Sequence, residues 1–554
     1  MNRRRFLKTC ALSIGAFSLS GCANRLARRP QNDRPNIVFI LADDMGFSDL
    51  GCYGGEIATP NLDRLAKKGI RFTQFHNTAK CMPSRACLLT GLYAQQCGMD
   101  KRPVHFTKNC VTLGDVLRGT GYRTLASGKH HSLDSLYDQG FDRYYGLRDG
   151  ACNYFNPGKP RPGEGIPSQK RPGKRAWCID EKTFVGYTPK EKDFYTTDYF
   201  TKYAINYLEE YKNEAKPFFL YLAYNAPHDP LQAWPDDIKK YEDRYKDGWE
   251  VLRKQRYQRQ IELGLIDDSM PLSKPTYADW DKLGDEQKAT ESRKMAVYAA
   301  MIDRMDQNIG KLLAKLKELG KEKNTLIMFA SDNGCSAEHA KGKTNSGEIG
   351  SMTRWTSLGG DWANASNTPY RYFKNYSYEG GICTPLIACW PGVIKNPGTI
   401  TDRPGHFIDI MPTLMEVSEG SYPDTHKGQT ITDYEGESLV DVFRGKTTSR
   451  KTPIFWQWSR GKAVLKGKWK LVAWRKKWEL FDMEKDKTET TDLSAAHPEV
   501  VNELKSLHEE WLVRCDKLVK EAKGDNSLPD IHITKFKDAK FRSEVAQQYK
   551  ALKF

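Results

Sequence analysis

The sequence of 554 residues contains no run of about 20 apolar residues, the length a helix needs to cross a bilayer, and its mean hydropathy is −0.67. A polytopic membrane protein is thereby excluded. Disorder is excluded as well, because 39% of the residues are hydrophobic and 28% charged. Of the 13 cysteines none forms a C-x-x-C pair, so the common zinc scaffolds are absent. There is no zinc finger, no RNA-binding aromatic motif and no internal repeat, and the basic residues are dispersed. The net charge of +16 therefore points away from nucleic acid and toward an anionic small molecule or glycan.

Acidic residues are also missing from positions 1 to 21, where Asn2-Arg3-Arg4-Arg5-Phe6-Leu7-Lys8 precedes the uncharged stretch Thr9 to Gly21. That stretch is too short to span a membrane and reads as a cleavable export signal of twin-arginine type. Leu19-Ser20-Gly21-Cys22 resembles a bacterial lipobox. The expectation is a signal peptide over 1–21, a tether over 22–34 and a lipidated Cys22 at a membrane surface, in the periplasm or at the cell surface of a bacterium. Simple secretion is the alternative. The other cysteines could pair in such a compartment, with the pairing left open.

Asn36 to Ala42 is a short apolar run entered by Pro35, the pattern of a strand buried on both faces, and it ends in Asp43-Asp44. Thr59-Pro60 opens a helical segment that Gly69 stops. Two further apolar runs behave like the first: Phe218 to Ala223 leads into Asn225-Ala226-Pro227-His228-Asp229, and Thr325 to Ala330 into Ser331-Asp332-Asn333-Gly334. Between them, Glu291 to Leu319 has helical periodicity, so strands alternate with helices and a mostly parallel α/β sheet follows. Such sheets bind ligands at the carboxyl ends of their strands, which is where Asp43, Asp44, His228, Asp332 and Asn333 fall.

Cys152 to Tyr187 is rich in Pro, Gly, Lys and Arg and reads as a long surface loop, either a solvated basic excursion or the wall of a pocket. After about position 425, short alternating runs between Pro453 and Asp482 predict an antiparallel meander, followed by a helix from about Pro498 to Leu512. The expected division is a catalytic domain over 35–425 and a small α+β domain with its tail over 426–554. Tyr154, Phe155, Trp177 and Trp362 could stack on sugar or aryl groups, or pack in the interior.

The segment richest in chemistry is Cys81-Met82-Pro83-Ser84-Arg85-Ala86-Cys87-Leu88-Leu89-Thr90-Gly91. Pro83 suits a helix start, which puts Cys81 where free N–H groups favour an anion, and Arg85 adds a positive fork. A thiol so placed suggests a nucleophile.

This C-x-P-S-R-x-x-L-L-T-G pattern resembles the signature of type I sulfatases, members of the alkaline phosphatase superfamily, in which the Cys is converted to formylglycine (3-oxoalanine) by a sulfatase-maturating enzyme. Other family elements follow in order. Asp43-Asp44 and Asp332-Asn333 resemble the two pairs of calcium ligands, and four oxygen donors suit Ca²⁺ better than zinc. Gly128-Lys129-His130-His131 resembles G-K-W-H, with His130 where Trp is usual, and Ala226-Pro227-His228 resembles A-P-H. Lys374 stands as the lysine before Tyr378-Glu379-Gly380-Gly381, and the usual I-R-V-P is here Ile382-Cys383-Thr384-Pro385. Lys468-Trp469-Lys470-Leu471 and Glu479-Leu480-Phe481-Asp482 look like the small C-terminal domain of the family.

The resemblance implies an alkaline-phosphatase-like fold, one Ca²⁺ held by Asp43, Asp44, Asp332, Asn333 and residue 81, and hydrolysis of sulfate esters. It implies that formylglycine at position 81 is hydrated and attacks sulfur, with Arg85, Lys129 and Lys374 supplying charge, His228 as proton donor to the leaving oxygen and His131 as base. Sulfated small molecules or glycans are the implied substrates; a phosphonate or phosphate-ester hydrolase of the same superfamily is the alternative. The N-terminal reading has its own test: radiolabelled palmitate is expected in the wild-type protein made in a bacterial host and absent from Cys22→Ala, and label in both would overturn it.

Overall fold

The strands form where β-branched and aromatic residues run together, and their polar flanks decide where they stop. The computed structural model describes residues 34–102, 104–339 and 342–523, so the segments expected as export signal and tether lie, with Cys22 and apart from Arg34, outside the described residues. In chain order the large sheet contains Asn36–Asp43 (β1), Ile70–His76 (β2), Arg123–Gly128 (β3), Arg143–Leu147 (β4), Ala176–Ile179 (β5), Lys182–Val185 (β6), Phe218–Pro227 (β7), Thr325–Ser331 (β8), Cys383–Cys389 (β9), Thr399–Thr401 (β10) and Gly405–His406 (β11). Across the sheet the order is β10-β2-β9-β8-β1-β7-β3-β4-β5-β6, with β11 also beside β2. Neighbours from β8 through β4 are parallel. β9 runs against β8 and β2, and β5 runs against β4 and β6. The fold is the mostly parallel α/β sheet expected.

Every residue of β1 is buried, and alternate side chains enter different cores. Val38, Ile40 and Ala42 pack with the helices Pro60–Lys68, Thr196–Glu210 and Asp285–Glu318 on one face. Ile37, Phe39 and Leu41 pack on the other with Cys81–Thr90, Leu113–Gly119 and Ile410–Ser418. The segment read as a basic loop departs from expectation, because it ends in the β5–β6 hairpin, which joins the sheet through β4.

A two-stranded ribbon, Thr425–His426 (β12) with Gln429–Thr430 (β13), precedes the second sheet. That sheet is the antiparallel meander Ile454–Trp458 (β14), Gly461–Lys466 (β15), Trp469–Trp474 (β16) and Lys477–Asp482 (β17). Both its faces are covered. Phe455, Val464, Leu471 and Leu480 pack with Leu504 and Trp511 of the helix Pro498–Lys523. Ile454, Trp456, Ala463, Leu465, Val472 and Phe481 pack against Ala79, Tyr378 and Ile382 of the large sheet's loops.

A buried polar cluster ties the two sheets together. Lys470 on β16 donates to Glu379 and, at 2.6 Å, to Glu489. Glu379 also faces His76 Nε2 at 3.0 Å, while His76 Nδ1 lies 3.0 Å from the carbonyl of Gly405 and must be the nitrogen that donates there. Burial would raise Glu379, but Lys470 and His76 hold its carboxyl well below the usual range. Removing the ammonium would strand two carboxylates in a dry interior. Lys470→Met is therefore expected to destabilise by about 3–5 kcal/mol in urea unfolding, with most of the loss recovered when Glu379→Gln and Glu489→Gln are added; a loss below 1 kcal/mol in roughly similar conditions would contradict this account.

Candidate active site

The parallel strands deliver the acidic and basic groups to one edge. Asp43 ends β1 and Asp44 follows it, Lys129 and His131 follow β3, His228 follows β7, and Asp332 and Asn333 follow β8. β9 reaches the same edge for the opposite reason. Because it is antiparallel, the chain that enters it, from Lys374 through Glu379-Gly380-Gly381, lies where the parallel strands leave. Cys81 arrives on the first residue of the helix Cys81–Thr90, all ten of whose residues are buried. Ser84 fixes the turn before it by accepting from Thr78 N at 2.9 Å.

Close backbone approach is needed to gather these ends. A Cβ on Gly334 would stand 1.9 Å from the Gly380 carbonyl, so only glycine lets the segment after Asn333 meet the one after Glu379. Asp44 and His131 adopt left-handed backbone with φ of 67° and 68°. Each such residue costs about 1–2 kcal/mol, which the surrounding contacts must hold in place.

Arg85 donates from Nε to Asp332 Oδ2 at 2.8 Å and from Nη1 to the Lys129 carbonyl at 2.7 Å, and its Nη2 lies 3.9 Å from Asp43 Oδ1. Lys129 donates to Asp43. Lys374 spans both oxygens of Asp44 at 2.6 and 2.8 Å, and Asn333 Nδ2 donates to Asp44 Oδ1 at 2.6 Å. His228 Nε2 is 3.5 Å from Asp44 Oδ2. Cys81 Sγ and His131 Nδ1 are 3.2 Å apart. All the residues expected in the site are brought together, and the ligand atoms of Asp43, Cys81 and Asp332 lie within 4.8 Å of one another.

Burial and like charge set the electrostatics. Burial raises Asp43 well above its ordinary value, and Asp332 adds to the effect. Asp44 is also pushed up by burial, but His228 and Lys374 outweigh it and hold the carboxyl low. Burial lowers His228 to about 3, with Asp44 opposing, and lowers His131 well below its usual range, helped by Lys129 and Arg85. Both imidazoles are thus neutral. Burial raises the Cys81 thiol despite Lys129 and Lys374, so the unmodified cysteine is a poor thiolate.

Whether these residues suit a cation can be judged from atoms left over. Asp43 Oδ1 and Asn333 Oδ1 are buried without hydrogen-bond partners. Two orphaned oxygens beside repelling carboxylates suit a hard divalent ion that takes only oxygen ligands.

Sequence reasoning missed Glu338, which accepts from Lys80, lies 3.6 Å from Lys374 Nζ and accepts from Asn375 at 3.3 Å. Burial opposes its ionisation, but Lys374 and Lys80 hold it strongly ionised. No spacing signals it, because it sits in a loop after β8. His130 turns inward beside Phe106, with its pKa lowered to about 3 by burial, and so packs as a neutral ring where the family has Trp. Of the aromatic residues considered for sugar stacking, Tyr154, Trp177 and Trp362 are buried in the interior and Phe155 is partly buried against it. Trp362 packs edge-on against Trp249 and Trp280, Trp177 stacks on Tyr187, and Tyr154 and Phe155 pack with Tyr195.

Comparison with known proteins gives a consistent result. Residues 35–421 match the family described as Sulfatase, and residues 369–514 match the one described as N-sulphoglucosamine sulphohydrolase, C-terminal. An uncharacterized sulfatase of Schizosaccharomyces pombe is 33% identical over 541 residues, covering 88% of this chain and 94% of its own. An arylsulfatase of Klebsiella aerogenes is 32% identical over 457 residues, covering 77% of this chain and 96% of its own. Among solved structures, Ps i-CgsB in complex with k-i-k-neocarrahexaose is 25% identical with a TM-score of 0.64, covering 86% of this chain and 93% of that one. Matched along most of its length, with the motif cysteine, the acidic edge and the basic groups assembled on one buried site, the chain belongs to the sulfatase family, whose members are sulfuric ester hydrolases.

Proposed function

We propose that this enzyme hydrolyses sulfate monoesters to alcohol and inorganic sulfate, aryl sulfates among them, and that its natural substrates are sulfated carbohydrates. The observation that carries the reading is the gathering of Arg85, Lys129, Lys374 and His228 on the acidic strand ends, two of whose carboxylates lie within 4.8 Å of the Cys81 sulfur that His131 faces. A carbohydrate substrate is supported by the neocarrahexaose in the related structure of Ps i-CgsB. The export signal and lipobox in the sequence support attachment at a bacterial cell surface, where sulfated polymers are met.

Asp43, Asp44, Asp332 and Asn333 would hold one calcium ion, and residue 81 would act after conversion of Cys81 to formylglycine by a sulfatase-maturating enzyme. When both are in place they supply, respectively, positive charge for the sulfuryl oxygens and a hydrated aldehyde oxygen for attack on sulfur. The chain's own side chains do the rest. Arg85 orients the oxygens at position 81 while it stays locked to Asp332, and Lys129 and Lys374 add charge where the sulfuryl group sits. His228 delivers a proton to the departing ester oxygen. Its low pKa reflects burial beside Lys374 and Lys129, and an incoming sulfate anion next to those cations raises it toward the range of a useful acid. His131, neutral and facing position 81 through Nδ1, accepts the proton whose removal releases sulfate.

The reading is tested on protein produced beside a sulfatase maturase. The tryptic peptide holding residue 81 is expected to be lighter by about 18 Da than the cysteine peptide, the protein to cleave 4-nitrophenyl sulfate, and Cys81→Ala to be inactive; an active protein with an unmodified thiol, or faster cleavage of 4-nitrophenyl phosphate, would overturn it. The proton-donor role makes a second prediction, because a phenolate leaves unaided and an alkoxide does not. His228→Ala is expected to lose about 10²–10⁴-fold on an alkyl sulfate and far less on 4-nitrophenyl sulfate, and equal losses on both would remove His228 from that role.

A further inference from the structure

The sulfuryl group of an ester has to sit among Arg85, Lys129 and Lys374, and all three side chains are closed to solvent. The alcohol part of the substrate must therefore extend outward, past the neighbours of the site that still reach water. His228 keeps 13% of its side chain exposed, Lys80 18% and Glu338 38%, and His131 is partly exposed as well. These four groups mark the mouth.

Glu338 is the carboxylate among them, and it is firmly placed. Its Oε1 accepts from Lys80 Nζ and, at 3.3 Å, from Asn375 Nδ2, while Oε2 lies 3.6 Å from Lys374 Nζ. The Glu338 N–H donates to Ser336 Oγ at 3.2 Å. Lys80 is the residue bonded to Cys81, at the N-cap of the helix that Cys81 begins. Asn375 is fixed in turn, its N–H donating to the Ala79 carbonyl at 2.8 Å and its Oδ1 accepting from Trp458 Nε1 at 3.1 Å. The carboxylate is thus tied to the turn before Cys81 on one side and to the loop carrying Lys374 on the other.

A negative group is unexpected in this place. A site built for an anionic ester gains from cations at its mouth, and a carboxylate there works against the arriving sulfate. The two lysines offset that cost unequally. Lys374 is committed to both oxygens of Asp44, at 2.6 and 2.8 Å, which leaves Lys80 as the close partner of Glu338. Glu338 is also the most exposed of the three, so a group on the substrate can meet its carboxylate before it meets either ammonium. Among the described residues Oε2 accepts no hydrogen bond, its cation standing at 3.6 Å. Such an oxygen can accept from a hydroxyl or an ammonium group, and it repels a second anion.

We propose that Glu338, held by Lys80, is a specificity-determining residue that reads the alcohol side of the ester: Oε2 accepts a hydrogen bond from a hydroxyl or ammonium group carried beside the ester being cleaved, and the carboxylate excludes a second anion from that position. The inference rests on the sulfate-ester reading and narrows its substrate class to esters whose alcohol bears neutral or cationic hydrogen-bond donors next to the sulfate.

The test uses 3-(hydroxymethyl)phenyl, 3-(aminomethyl)phenyl and 3-carboxyphenyl sulfate with wild type, Glu338→Gln and Lys80→Met, each rate divided by the formylglycine fraction read from peptide mass. Every variant is compared with wild type on the same ester, so the intrinsic reactivity of the leaving phenol cancels. Relative to its effect on the hydroxymethyl ester, Glu338→Gln is expected to raise kcat/KM for the carboxy ester about ten-fold and to lower it for the aminomethyl ester by about as much, the scale of one charge-assisted contact. Lys80→Met, which leaves the carboxylate without its close cation, should move the carboxy ester the opposite way. One common factor on all three esters would make Glu338 a structural tie and overturn the proposal; if Glu338→Gln does not fold, Lys80→Met carries the same comparison. Binding of the three esters to Cys81→Ala protein, with and without Glu338→Gln, is measured by calorimetry and is expected to show the same reordering, and an unchanged order would overturn the proposal. That readout needs no turnover, so failure of the catalytic reading and failure of this one are distinguishable.

Discussion

Three carboxylates crowded into a dry strand edge are the constraint from which the rest of the site follows. Asp43 lies within 4.8 Å of both Asp44 and Asp332, and all three are buried with almost no solvent to screen them. Ionised carboxylates so placed need matching positive charge. Arg85, Lys129 and Lys374 each meet one of them, and the orphaned oxygens of Asp43 and Asn333 mark where the protein's own cations leave off. Asp43 and Asp332 lie within 4.8 Å of the Cys81 sulfur, so the cations that meet them gather beside it as well. Charge compensation and substrate recognition are thus one arrangement, in which an anionic ester meets a field already built to hold negative oxygen.

That arrangement depends on sheet topology more than on any local segment. Parallel strands bring only residues that follow them to the carboxyl edge, whereas Lys374 precedes its strand. An antiparallel β9 solves this, and the Gly334–Gly380 contact then lets its entry loop close against the loop after β8. The loop is also braced from behind. Glu379, next to Gly380, is buried against Lys470 of the second sheet and against His76 at the end of β2. The small C-terminal sheet therefore supports the position of Lys374 through a polar cluster, although Cys81 itself faces His131 of the large domain. This explains physically why the Lys470 of K-W-K-L and the Glu379 of Y-E-G-G occur in one chain: each is the other's counter-charge.

Much of this was legible in the sequence, for identifiable reasons. Strands buried on both faces read as unbroken apolar runs, so β1, β7 and β8 and the polar residues after them stood out. Amphipathic helices read by their period, although Asp285–Glu318 begins six residues before the pattern does, because its first turns are charged and exposed. Cys81, Arg85 and the acidic pairs were legible because their chemistry requires fixed neighbours. Glu338 was not, since only the folded loop carries it to Lys80 and Lys374. The aromatic residues offered as sugar platforms were ambiguous for a different reason: Trp177 and Trp362 sit among turn-forming residues, yet tertiary packing covers both completely.

The β5–β6 hairpin shows most clearly where sequence reading ends. Its strands are four residues each, and the Pro, Gly, Lys and Arg before them dominate the local composition. Nothing local says that Ala176–Ile179 will pair with β4, because the stabilising contacts are with Leu147, Tyr145 and the Phe200 helix, far away in the chain. Once that pairing forms, however, its antiparallel sense decides which residue stands at the catalytic edge. Arg175 is placed there by the logic that places Lys374 on the opposite side of the sheet. The two differ in what meets them. Lys374 is gripped by both oxygens of Asp44, whereas Arg175 has Asp149 acting on it and that carboxylate also accepts from Ala176 N, so the same topological device yields a cation locked into the site in one case and a structural one in the other.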